Sequence, residues 1–383
     1  MRFFTIAVVL AAVYYGYFGW VTPPGEGDSL AYHIPLARMV IAGELWQKNK
    51  LTAPGLYYPG AGEAMQAVMM ITGLPLNLFN VLGWIILVLA VREAGKRLGL
   101  GTGLATVFGI SVGMWPSVLR LLLTQTVDIW LAVWWTVAWI FLREPKKTLG
   151  YWVATGAVLG MLVGTKFSGV LFAGVLLLFY GRRMWEKVTL RGAAICILGI
   201  VIFGGWWYGR NWILTGNPVY PGSLGWWRGD PAFLTDDWNF VKTLVFTPGG
   251  WGKMATALVS EYLLWPVLGI GVIILNFKVT KKQSNRDTGL LGLVSLGVCL
   301  VLPSWPVNII SDLRYFYPAM IPLAAGVFLA AKERGMEKGA VAIAAVSTMA
   351  VLPQLDYHPK LLAAIIFGVV VWEISKVKVR PGR

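Results

Sequence analysis

Apolar runs of helical length recur along the chain, separated by short polar or charged stretches. They fall at 3–20, 76–91, 101–119, 125–142, 149–163, 167–181, 192–208, 263–277, 288–303, 317–331, 339–353 and 360–375. A hydrocarbon core of roughly 30 Å takes about 20 helical residues. Apolar runs of this kind predict an all-α, polytopic membrane protein with about twelve transmembrane helices. A barrel would show short alternating strands instead. Segments 149–163 and 167–181 are short, and we read them as two helices that turn at Gly164-Thr-Lys166. One long crossing there would reverse all that follows and move most of the inner positive charge outside.

The stretches between the runs differ on the two sides. Those assigned inside are short and charged, whereas 21–75 and 209–262 are long and lie outside. The first loop holds two amphipathic segments that predict helices in the interface plane. One spans 29–43, with Leu30, Ile34, Ala37, Val40 and Ile41 on its apolar face; the other spans 60–72, with Met65, Val68, Met69 and Ile71. The second loop carries Trp212, Trp226, Trp227, Trp238 and Trp251. Those rings suit interfacial anchoring, or stacking on a sugar or lipid. With no repeat and no low-complexity linker, residues 1–383 read as a single transmembrane domain.

Composition supports this reading. The 383 residues are 57% hydrophobic and 13% charged, too little charge to cover a soluble surface. The net charge of +15 would suggest nucleic acid in a soluble protein. Here most of the 33 Lys and Arg fall on segments assigned inside, leaving the outside neutral. The positive-inside rule accounts for the charge without a nucleic-acid partner and puts both termini in the cytoplasm, with the chain in the plasma membrane. No small-x-small cleavage site follows the first segment, so it is expected to be an anchor. Cys196 and Cys299 lie in predicted helices and imply neither a disulfide framework nor a metal site.

The chemistry collects on the outer face. "EGDSLAYHIP" at 26–35 puts two carboxylates, Tyr32 and His33 beside the membrane. Asp28 there can cap a helix start or serve as a general base, its pKa raised against apolar surroundings. Pro35 disturbs the helix that such a cap would open. Arg120, Asp128 in "TQTVDIW", Lys166 at the hairpin tip, Arg210, Asp312 and Arg314 share that face. Ionisable groups at the bilayer are costly and so are functional candidates. His33, Glu63 and Asp128 are residue types that ligate a divalent metal, although no ligand spacing marks a site.

Five stretches, taken in order, resemble a known family. "GDSLAYHIP", "YYPGAGE" at 57–63, "GTKFSG", "RNWILTGNPVYP" and "RYFYPAMIPL" look like the GT-C membrane glycosyltransferases. The likeness is to the branch that includes protein O-mannosyltransferases and the lipid A aminoarabinose transferase, and runs from residue 1 to about 331. It implies the GT-C fold, an outward-facing site and a sugar donated by a polyprenyl-phosphate carrier. By the same resemblance Asp28 is the expected base and Asp128 the second acid. Arg314 and Lys166 match positions that can hold the carrier phosphate. Arg210, Arg120, Tyr32, His33, Tyr58 and Glu63 complete the candidate substrate-binding set. Some relatives pair two acids at the first-loop site; here Ser29 follows Asp28 and Glu26 lies two residues back. The division of labour among these carboxylates is therefore open. No large soluble domain follows the last predicted helix, so recognition of a lipid, glycan or protein acceptor is expected of the outer loops.

The chemistry agrees with the resemblance. An acceptor hydroxyl needs a base, and a departing phosphate needs cations and hydrogen-bond donors. A single displacement would invert the anomeric centre. The rival reading is a secondary transporter, which would place polar groups at the midplane on broken helices in repeated halves. Neither feature is visible in the sequence.

Overall fold

In a computed structural model, residues 2–231, 238–279, 283–304 and 308–351 are described. These are mainly helical, with isolated bridges and no β-strand among them. Five helices are long and apolar enough to cross a membrane: Phe4–Val21, Leu78–Arg97, Phe167–Trp185, Leu190–Thr215 and Ile309–Glu333. A sixth results if the bent pair Gly250–Tyr262 and Trp265–Ile274 is one span. Among the described residues the expected count of twelve is not confirmed on length and composition, in part because breaks interrupt the apolar runs. Segment 101–119, for example, stops at Gly113 and resumes as the short helix Pro116–Leu119, where Pro116 takes the first helical position. The segment 360–375 and the last two residues of 339–353 lie outside the described residues. Exposed Val13, Leu89, Leu178, Ile197 and Ile274 form apolar surface suited to a multi-pass protein in lipid.

The expected hairpin is present. Leu149–Thr165 and Phe167–Trp185 are separate helices, broken where Lys166 is extended at φ −161°, ψ 151°. Asp128–Arg143 packs against both. The first of them also crosses Leu190–Ile200 and the π-turn Val201–Gly205 very closely. A Cβ on Gly156 would lie 2.5 Å from the Cys196 carbonyl oxygen, and one on Gly160 2.7 Å from that of Gly199. Small residues at this spacing let two backbones meet in an apolar medium where dispersion drives packing. Cys196 and Cys299 are buried free thiols.

The first outer stretch departs from its expected phase. A π-turn, Ser29–His33, precedes the α-helix Ile34–Ala42. Pro35 lacks an amide hydrogen and cannot continue an i→i−4 ladder; the wider turn, with Ile34 N–H bonded to Ser29 O, absorbs it. The extra residue rotates the helix face. Ile34, Leu36, Ala37 and Met39 are buried, whereas Leu30 and Ile41 are exposed. Leu36 and Met39 join Leu45, Leu51, Leu56, Tyr57 and Trp207 in a small core beneath this stretch. The second helix, Ala61–Ile71, buries Met69 and exposes Val68 and Ile71. In the later loop Trp212, Trp226 and Trp251 are exposed.

Candidate active site

Four segments far apart in sequence converge on one charged cluster. Asp28 comes from the first outer stretch, Asp128 from the head of Asp128–Arg143, and Lys166 from the hairpin tip. Arg314 comes from the 3₁₀ turn Leu313–Phe316, which leads into Tyr317–Glu333. Arg314 Nη2 donates to Asp28 Oδ2 at 2.7 Å, and its Nε lies 3.5 Å from Asp128 Oδ2. Lys166 Nζ donates to Asp128 Oδ1 at 2.7 Å. The result is an alternating chain: Asp28, Arg314, Asp128, Lys166.

The turn that carries Arg314 is fastened by two tyrosines. Tyr262 donates its hydroxyl to the Leu313 carbonyl at 2.5 Å, and Tyr317 donates to that of Ser117 at 2.8 Å. Exposure separates the two acids. The Asp128 side chain is 2% exposed and that of Asp28 40%. Asp128 is thus locked between two cations, which offset its desolvation. Asp28 is the partner open to solvent.

Asp28 does not cap. Its backbone is already helical at φ −62°, ψ −36°, and its side chain accepts no helix-start amide. That role falls to Glu26, whose Oε2 accepts the Ser29 N–H at 2.7 Å. This corrects the capping alternative for Asp28 and leaves its carboxylate aimed at Arg314.

Aromatic side chains wall the cluster. Lys166 Nζ lies 3.8 Å from the Tyr315 ring centroid, and the Arg314 guanidinium carbon lies 5.5 Å from it. Both are cation–π distances. Tyr32 meets Tyr58 edge to face at 5.4 Å, and Tyr58 meets Phe167 likewise at 5.8 Å. Burial first, then the Asp28 charge, pushes the Tyr32 phenol well above its ordinary range. Burial, followed by Tyr315 and Asp28, does the same at Tyr58. Both phenols stay protonated at neutral pH and can donate hydrogen bonds.

The remaining candidates are placed differently. His33 Nδ1 and Glu63 Oε1 lie 2.6 Å apart, with both side chains buried. Arg210 is wholly buried: it donates to Asn211 Oδ1 and the Leu56 carbonyl and lies over the Trp207 ring at 5.0 Å. Asn211 donates to the Tyr57 and Tyr220 carbonyls. Arg210 therefore staples the first outer stretch to the helix Trp206–Thr215 and faces no open space. Arg120 pairs with Glu261 at 2.7 Å and with the Ile310 carbonyl, and it makes none of the ion pairs that build the cluster. Asp312, though two residues from Arg314, accepts from Ser304 Oγ at 3.0 Å. The metal-ligand types do not converge either. Asp128 is taken by Lys166 and Arg314, and no three His, Cys, Asp or Glu group together among the described residues.

Sequence reasoning missed Tyr315 and Glu261. Tyr315 adjoins Arg314 in "RYFYP", and that adjacency was the available signal.

This helical frame is a known architecture. The chain matches ArnT from Cupriavidus metallidurans bound to undecaprenyl phosphate with a TM-score of 0.62 and 15% identity, over 97% of this chain and 71% of that one. Against apo ArnT the TM-score is 0.56 at 17% identity, over 97% and 69%. Against the Archaeoglobus fulgidus oligosaccharyltransferase, in complex with Zn and sulfate, it is 0.54 at 13% identity. That match covers 98% of this chain but 55% of the longer protein. No family model and no curated protein sequence matches the chain. Both kinds of neighbour are GT-C proteins, and the fold is the GT-C fold.

Proposed function

We propose that the protein is a membrane glycosyltransferase that moves a sugar from a polyprenyl-phosphate carrier to a hydroxyl of a lipid, glycan or protein acceptor. The chain Asp28–Arg314–Asp128–Lys166 carries this reading. Two carboxylates balance two cations, so an arriving phosphate must replace a carboxylate to be bound. Buried Asp128 cannot leave. Asp28 can, and its departure from Arg314 frees a base at the moment the donor is seated.

The acceptor O–H then gives its proton to the Asp28 carboxylate as its oxygen bonds to the anomeric carbon. The bond from that carbon to the phosphate oxygen breaks, and the electron pair leaves with the polyprenyl phosphate. Attack from the opposite face inverts the centre. Arg314 meets the phosphate through its planar fork, Lys166 as a point charge, and Asp128 holds both cations in place. Tyr32 and Tyr58 offer hydroxyl donors and ring faces to the sugar. The fold shared with a protein seen bound to undecaprenyl phosphate supports a lipid carrier. The site faces outward in this reading, with both termini in the cytoplasm of a cell whose plasma membrane holds the chain.

Purified protein in lipid nanodiscs should consume a polyprenyl-phosphate sugar and release free polyprenyl phosphate. A nucleotide sugar should not substitute, lacking a lipid to bring its phosphate to a membrane site. In intact cells, an impermeant thiol reagent should label a cysteine at Ser223 but not at Lys146, in a background lacking Cys196 and Cys299. Solute uptake into sealed vesicles with no glycosidic bond made from any lipid-linked donor would restore the transporter reading.

A further inference from the structure

Between Leu119 and Asp128 the chain is not helical, so its backbone groups need partners from elsewhere. Side chains supply them. Asn80 Nδ2 donates to the carbonyls of Leu121, Thr124 and Thr126 at 3.1, 3.1 and 2.8 Å. Gln66 Nε2 donates to the Gln125 carbonyl at 2.6 Å. The Gln125 amide hydrogen goes to Ser29 Oγ at 3.0 Å, across 96 residues of sequence.

Ser29 is wholly buried and has a second bond to make. Its hydroxyl donates to Glu26 Oε2 at 2.7 Å, and its backbone N–H donates to the same oxygen at the same distance. Glu26 thereby fixes the rotamer of Ser29, and Ser29 ties the first outer stretch to the turn. Asp28 immediately precedes Ser29; Asp128 follows Gln125 by three residues. The two acids share one guanidinium, so their mutual register decides how Arg314 is held.

We propose that Glu26 and Ser29 are positioning residues, a relay that sets Asp28 in register with Asp128. The proposal rests on Asp28 acting as the base, and it removes Glu26 from the catalytic carboxylates. Glu26 faces Ser29, not Arg314. Misplacing a reacting group by about 1 Å costs on the order of 10²-fold in rate, so a polar contact remote from the substrate can govern turnover.

The test uses the full-length protein and two readouts. The first is amide hydrogen exchange in peptides covering 120–127, which reports the Gln125 bond whatever the enzyme does. The second is transfer from a polyprenyl-phosphate sugar, with kcat and donor KM separated. Ser29→Ala should raise exchange in that segment and lower kcat on the order of 10²-fold, with donor KM within about threefold of wild type. Glu26→Ala should do the same. Glu26→Gln keeps an oxygen for both Ser29 donors, and should hold exchange low and kcat within about tenfold of wild type. Wild-type exchange in Ser29→Ala overturns the relay. So does raised exchange with undiminished kcat, and so does a Glu26→Gln protein as slow as Glu26→Ala. A wild type that forms no product from lipid-linked sugars is a separate failure, of the proposed function, and is read in the wild-type arm alone.

Discussion

Asp28→Asn should leave a folded protein that binds the lipid donor and turns it over about 10²–10⁴-fold more slowly, the usual cost of losing a general base. The structure makes this substitution clean. Asp28 caps nothing, and an asparagine oxygen can still accept from Arg314 Nη2, so the turn that holds Arg314 keeps a partner. What is lost is the carboxylate's negative charge and its capacity to take a proton. The fall should therefore appear in kcat, with donor KM unchanged or lowered because the phosphate no longer displaces an anion from Arg314. Near-normal transfer by a well-folded Asp28→Asn protein would remove Asp28 from the chemistry.

Arg314→Lys should show the opposite split. A lysine retains the charge that faces Asp128 but not the planar fork that reaches Asp28 and Asp128 together. Charge-assisted hydrogen bonds are worth about 1.5–3 kcal/mol each, so donor KM should rise roughly 10- to 100-fold. Arg314→Ala is the harsher change, because it leaves a 2% exposed Asp128 with Lys166 alone. Breaking a buried ion pair on one side costs about 3–5 kcal/mol, and the melting temperature should fall with activity. Lipid-donor kinetics of the two variants, beside thermal melts, separate the effects. An Arg314→Lys enzyme with wild-type donor KM would contradict a phosphate role for this side chain.

Parts of this site are legible in the sequence for a simple reason. Asp128, Lys166 and Arg314 each adjoin an apolar run and Asp28 follows the first of them, and a charge so close to an apolar run has few inexpensive explanations. Their convergence across as many as 286 residues is a property of the packed fold and has no local signature. The hairpin at Lys166 was readable because reversing the topology there would invert the charge distribution. The face of Ile34–Ala42 was readable only in part: Ile34 and Ala37 are buried as expected, but Leu36 and Met39 are buried too, and Leu30 and Ile41 are exposed. A π-turn ahead of Pro35 inserts a residue into the period, and helical spacing counted through it fails. Arg210 and Arg120 also stand out as charges in apolar surroundings, yet their partners are Asn211, the Leu56 carbonyl and Glu261. Sequence marks a buried arginine as unusual but does not say whether it holds a ligand or its own backbone. Tyr315 offered only its adjacency to Arg314 in "RYFYP", a weak signal because a tyrosine at a membrane boundary is commonplace.

The most direct measurement is a structure of the protein with polyprenyl phosphate bound. The phosphate oxygens should lie within hydrogen-bonding distance of both Arg314 and Lys166, with Asp128 still between those cations and Asp28 turned away from Arg314 toward open space. A lipid phosphate seated elsewhere, with the Asp28–Arg314 pair intact, would contradict it.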